Sequence, residues 1–311
     1  MFDVGRSVFD VRSGVFGNPR PPLHPGFSPD SVRPMPRLSP RISSLLSRLG
    51  LARRPVFGDV LNMSIPTDRL RDDDQFIASY PRSGNRWLRT MVNDVIVLNR
   101  PDLPPPAGLQ ALVPDFHQTE PDERVMEQFG LKSRILKSHN LQAIQGRRMV
   151  YLFRRAADAL ISFHHFHLKQ PKWEETVKNL GVDQFCETML PTWIGHVEMA
   201  VRQRESLPAR TCLISYEALH AAPLEALRNA VDFLGIETTD DVIARAVENN
   251  SFENSVAKLA AKTAAGSAPI LRQGRVGGAS DELKPETVRK IEAASDSLYQ
   301  RAVELASASG A

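Results

Sequence analysis

Cysteine is nearly missing from the 311 residues: only Cys186 and Cys212 occur, each inside an apolar stretch. Two thiols cannot build a disulfide framework or a cysteine-based zinc site, so a reduced cytoplasmic setting is expected. No stretch reaches the roughly 18 consecutive apolar residues of a membrane helix, and the N-terminus lacks an apolar core ahead of a small-residue cleavage site. A soluble, unsecreted chain without stable membrane insertion is the expectation. Lysine is absent from residues 1–55, which carry nine arginines against three aspartates, a local charge of +6 in a chain whose total is +3. The remaining residues are therefore mildly acidic, which excludes a broad basic groove for nucleic acid. Also lacking is the GxxxxGK[ST] phosphate loop of the Mg²⁺-dependent nucleotide triphosphatases.

What is present is a chain with 42% hydrophobic and 24% charged residues, long enough for a substantial core and unlike fibrous or fully disordered sequences. Ten of the 23 prolines fall in residues 1–66, in runs such as Asn18-Pro-Arg-Pro-Pro22, and this stretch is read as a disordered extension. Arg41–Arg54 within it has the pattern of a short amphipathic helix with basic ends, against the alternative of a solvated tail. Residues 67–311 form the folded unit. There the candidate strands Gln75–Ser79, Arg134–Ser138, Arg148–Phe153 and Thr211–Ser215 alternate with helical patterns at Trp87–Leu98, Asp158–His167, Asp183–Glu205, Pro223–Leu234, Asp240–Asn249 and Pro285–Leu305. Such alternation predicts an α/β fold, a central parallel sheet flanked by helices. Residues 100–131 are proline-rich and weakly patterned, as expected of a loop over a site.

The first strand runs directly into Ser79-Tyr-Pro-Arg-Ser-Gly-Asn-Arg-Trp87 and then a helix. Strand, glycine turn and helix start place backbone N–H groups and the positive helix end at one point, where Arg82 and Arg86 add charge, so an anionic ligand is expected. Position 86 is Arg where a nucleotide triphosphatase carries its Mg²⁺-binding Ser or Thr. Tyr-Pro-Arg-Ser-Gly-Asn-Arg-Trp resembles the 5′-phosphosulfate loop of the sulfotransferases that use 3′-phosphoadenosine 5′-phosphosulfate (PAPS), commonly Tyr-Pro-Lys-Ser-Gly-Thr-Thr-Trp. Further matches follow in family order over about residues 74–290. Leu136-Lys-Ser-His139 resembles Lys-Thr-His. Arg154 and Ser162 have the family's spacing for the cofactor's 3′-phosphate. Tyr216-Glu217 and Ser251-Phe252 resemble the Tyr-Glu-Asp and Thr-Ser-Phe segments near the adenine. Leu271-Arg-Gln-Gly-Arg-Val-Gly-Gly278 resembles Arg-Lys-Gly-x-x-Gly-Asp-Trp, with Gln273 in place of Lys and Gly278-Ala279 in place of Asp-Trp.

The resemblance implies a single P-loop-containing domain and an enzyme transferring a sulfuryl group from PAPS, with PAP as product and no metal, to a hydroxyl or less favourably an amine of a small molecule. The implied catalytic residues are His139 as general base with Lys137 and Arg82 as cations. Arg82, Ser83, Gly84, Asn85 and Arg86 would cradle the 5′-phosphate. Trp87, Tyr216 and Phe252 would hold the adenine, and Arg154, Ser162, Arg272, Gln273 and Gly274 the 3′-phosphate. Arg82 replaces a family Lys, and Asn85 and Arg86 replace two threonines. An Arg is a poor acid and a good fixed charge, so Arg82 is expected to act as an electrostatic clamp. His164 and His167 have a spacing that suits a metal on one helix face, but are read as packing or site-wall residues. Lys284–Glu292 resembles a short dimer motif one residue short, but Pro285 also fits a helix start and a plain C-terminal helix is the preferred reading; a monomer or weak homodimer is expected. The alternatives are a P-loop nucleotide kinase and a PAP-binding module without catalysis.

Overall fold

In the computed structural model, residues 67–251, 254 and 277–308 are described. The 1–66 extension and its candidate helix, Phe252, Arg272, Gln273 and Gly274 lie outside them. Four strands, β1 (Gln75–Ser79), β2 (Ile135–Ser138), β3 (Arg148–Phe153) and β4 (Thr211–Ser215), form one parallel sheet in the order β2-β1-β3-β4. Each strand reads as a nearly continuous buried run because helices cover both faces.

Alternate residues of one strand feed different cores, since successive side chains point to opposite faces. Phe76, Ala78, Leu136, Met149, Tyr151 and Phe153 pack on one side. There lie helix α3 (Ala156–His167), the long α4 (Glu174–Ser206) and the C-terminal α8 (Pro285–Ser307). Ile77, Ile135, Val150, Leu152, Cys212 and Ile214 face the other way. They meet α1 (Asn85–Leu98), α6 (Pro223–Phe233) and α7 (Asp240–Asn249), while the short α2 (Glu123–Gln128) and α5 (Tyr216–Ala221) fill connections. The N-terminal ends of β1 and β2 are tied by a buried pair, Arg134 donating to Asp74 through Nε and Nη2 at 2.7 Å each. In this order β1 has β2 on one side and β3 on the other, so the crevice at the strands' C-terminal edge opens between β1 and β3.

All four predicted strands are present, β2 starting at Ile135 rather than Arg134; α7 has the expected range, α6 ends at Phe233 rather than Leu234, and the other predicted helices extend theirs. α1 begins at Asn85 rather than Trp87, and α3 at Ala156 rather than Asp158. The helical pattern expected at Asp183–Glu205 continues back to Glu174 through a break at Gly181, where φ 71° and ψ 165° are non-helical. α2 and α5 were not anticipated. α5 depends on Ser215, whose Oγ accepts from Ala218 N at 3.0 Å and caps the helix.

Candidate active site

The loop after β1 is built from two left-handed residues. Arg82 adopts φ 69° and Gly84, the N-cap of α1, φ 93°. Gly84 is required there, because a Cβ would also stand 2.7 Å from Tyr216 Cδ2. The chain turns into α1 with its first N–H groups facing the crevice edge and no acidic residue in the first turn. Ser83 Oγ is buried and has no hydrogen-bond partner among the described residues. An orphaned hydroxyl, an acid-free helix start and a glycine cradle together fit a phosphate-type anion. Gly84→Ala is expected to destabilise the fold by about 1–3 kcal/mol and to weaken anion binding, checked by thermal unfolding with and without PAP.

Arg82 of this loop and Arg154 of β3's tip meet here. Arg82 Nε donates to Ser162 Oγ at 3.2 Å, and its guanidinium lies 5.5 Å over the Phe166 ring. Arg154, at the tip of β3, donates to Arg82 O at 3.5 Å, stacks 4.2 Å over Tyr216 and lies 3.9 Å from Asp158. Because α3 starts at Ala156, Ser162 falls in its second turn and reaches back to the loop. Asp158 also accepts from Gly277 N at 2.9 Å, which fixes the chain just after the Arg272–Gly274 segment. Arg155 turns away and stacks 4.8 Å over Tyr299.

Trp87 Nε1 donates to Asn250 O at 2.9 Å, joining α1 to the chain immediately before Phe252. Its ring meets Tyr216 edge-on at 6.1 Å and His220 at 6.3 Å. Tyr216 therefore sits between Gly84, Arg154 and Trp87, and His220 adds an aromatic wall that no sequence motif signalled. Asn85 donates its amide Nδ2 to Ile77 O at 3.1 Å, and Arg86 is exposed beside the helix start.

His139 follows β2 at the same edge. Its Nδ1 donates to Ser79 O at 2.8 Å, which sets the tautomer and leaves the Nε2 lone pair as acceptor. Burial first, then the Lys137 charge, push its pKa well below 6.5 despite the opposing Ser79 bond. The imidazole is therefore neutral near pH 7. Its own carbonyl accepts from His196 Nε2 at 2.8 Å, while His196 Nδ1 accepts from Tyr151 at 2.7 Å. Lys137 is buried and donates to Asp115 at 2.8 Å, so much of its charge is neutralised locally; desolvation lowers its pKa against that pairing.

Buried neutral histidines make stability depend on pH. Burial lowers His196 and His164 from 6.5 to about 4. These depressed values favour folding above pH 6.5, and that contribution is lost as pH falls from 6.5 toward about 4. The unfolding temperature is expected to drop across that window, and a flat profile there would contradict these environments. His164 and His167 are buried against Phe185, and no group able to hold a metal occurs among the described residues.

Residues 72–303 match the sulfotransferase domain family. The chain belongs to that family. Among similar sulfotransferases, sulfotransferase 1B1 of Canis lupus familiaris is 27% identical over 59% of this chain and 66% of its own length. Cytosolic sulfotransferase 16 of Arabidopsis thaliana is 24% identical over 71% of this chain and 75% of its own. The chain thus spans just under two thirds of the first relative. In the fold, mouse sulfotransferase SULT7A1 complexed with PAP is similar at TM-score 0.54 and 20% identity, covering 81% of this chain and 93% of that one. Retinol dehydratase in complex with androsterone and PAP gives TM-score 0.51 at 20% identity, covering 84% and 94%. The sulfotransferase architecture is the P-loop α/β fold expected, and no described helix is long and apolar enough to cross a membrane.

Proposed function

We propose that this sulfotransferase moves a sulfuryl group from PAPS to a hydroxyl of a small molecule, an amine being the less favoured acceptor, with His139 as general base. The carrying observation is the His139 ring, locked by Ser79 O into the tautomer with its Nε2 lone pair available and neutral near pH 7. Bound PAPS supplies the activated sulfuryl group and a phosphate leaving group. His139 takes the acceptor's proton on Nε2.

The first-turn N–H groups of α1, Ser83 Oγ and exposed Arg86 would hold the 5′-phosphate. Arg154 and Ser162, with Arg272, Gln273 and Gly274, would hold the 3′-phosphate, and Trp87, Tyr216 and Phe252 the adenine. The Arg82 guanidinium is fixed by Ser162 and Phe166, so it stabilises developing negative charge rather than donating a proton. Lys137 contributes field from its paired position and shapes the edge strand that carries His139. Residues 67–311 would form this one unit, working in the cytoplasm. Incubating the full chain with PAPS and a panel of phenols, sugars and alcohols should yield PAP only when a suitable acceptor is present. Phosphoryl transfer from Mg·ATP instead would favour the kinase alternative, and PAP binding without turnover the inactive module.

A further inference from the structure

The sheet does not stop at β2. Residues 114–116 run along its outer edge: Lys137 N donates to Pro114 O at 2.8 Å, Phe116 N donates to Lys137 O at 3.2 Å, and Asp115 and Lys137 are parallel bridge partners. The buried Asp115–Lys137 pair at 2.8 Å fixes that register. The chain turns just after Asp115, Gln118 N and Thr119 N donating to Asp115 O at 2.8 and 2.9 Å, and this turn carries the His117 ring to Ser138, the residue before His139. His117 N also donates to Asp115 Oδ1 at 3.3 Å.

The His117 ring meets the hydroxyl that supports the turn under His139. Its Nε2 lies 3.2 Å from Ser138 Oγ, and Ser138 Oγ accepts from Asn140 N at 2.9 Å. The other acceptor for the Ser138 proton, Asn140 O, is farther away at 3.5 Å. Ser138 is fully buried, so its hydroxyl depends on chain partners rather than water. His139 is then held three ways: its Nδ1 by Ser79 O, its carbonyl by His196, and its turn by Ser138 with His117.

We propose that His117 is a positioning residue for His139, acting through Ser138 Oγ to aim the base at the acceptor. This rests on His139 being the base. His117→Ala in the full chain is expected to lower kcat by roughly 10- to 100-fold, the scale of a misaimed catalytic group, with PAP affinity unchanged. His117→Gln keeps an acceptor near the Nε2 position and should recover most of the rate. In ¹⁵N histidine spectra of the free protein, His139 should pass from a single Nδ1–H tautomer to a mixture in the Ala variant and return in the Gln variant. Adding His117→Ala to His139→Ala should cause no further loss. Native kcat and a native His139 tautomer in His117→Ala would overturn the proposal, as would equal losses in the Ala and Gln variants. An active His139→Ala enzyme would instead remove the base assignment, leaving the tautomer spectra to judge the positioning.

Discussion

His139→Ala is expected to reduce turnover by about 10²- to 10⁴-fold, the usual worth of a general base, while PAP binds nearly as well as to the native chain. The two readouts separate because His139 stands beyond β2, whereas the proposed anion cradle consists of the β1 loop, α1 and the tip of β3. The side chain removed is held through Nδ1 alone, 2.8 Å from Ser79 O and 3.4 Å from Ser79 Oγ, and the His196 bond to the backbone carbonyl survives the change. Since the native pKa lies well below 6.5, the base form dominates at neutral pH. The defect should therefore be as large at pH 8 as at pH 7. Turnover near the native level would mean that another group accepts the proton.

Arg154→Ala is expected to weaken PAP by on the order of 10- to 100-fold, the value of charged hydrogen bonds to a phosphate, and to affect adenosine 5′-phosphosulfate far less because it has no 3′-phosphate. Arg154 also stacks on Tyr216 and approaches Asp158, so part of any loss is packing and falls on both ligands alike. The difference between the two ligands isolates the phosphate contact. Calorimetric titration of each gives it directly, and equal losses would take Arg154 out of the 3′-phosphate site.

The parts of the site legible in the sequence are local in sequence. Ser79–Trp87 is a strand, turn and helix start, so its shape follows from short-range rules, including the need for Gly84 at φ 93°. Arg154 and Ser162 were readable for the same reason, as a strand tip and the helix after it. Asp115, His117, His196 and His220 were not, because each arrives by tertiary placement: an edge pairing with β2, a long helix crossing behind His139, and a short helix capped by Ser215. Lys137 was visible as a cation, but its pairing with a residue 22 positions earlier was not. Gly181 marks another such limit, since the helix expected only from Asp183 continues back to Glu174 across the backbone break at that glycine.

PAP, which carries both phosphates, probes the proposed cofactor site most directly. Titrating PAP into the full chain in the presence of EDTA should show one site, with affinity at least roughly tenfold above that for AMP, as one additional charged phosphate contact requires. No heat with PAP, or binding that appears only with Mg·ATP, would contradict it.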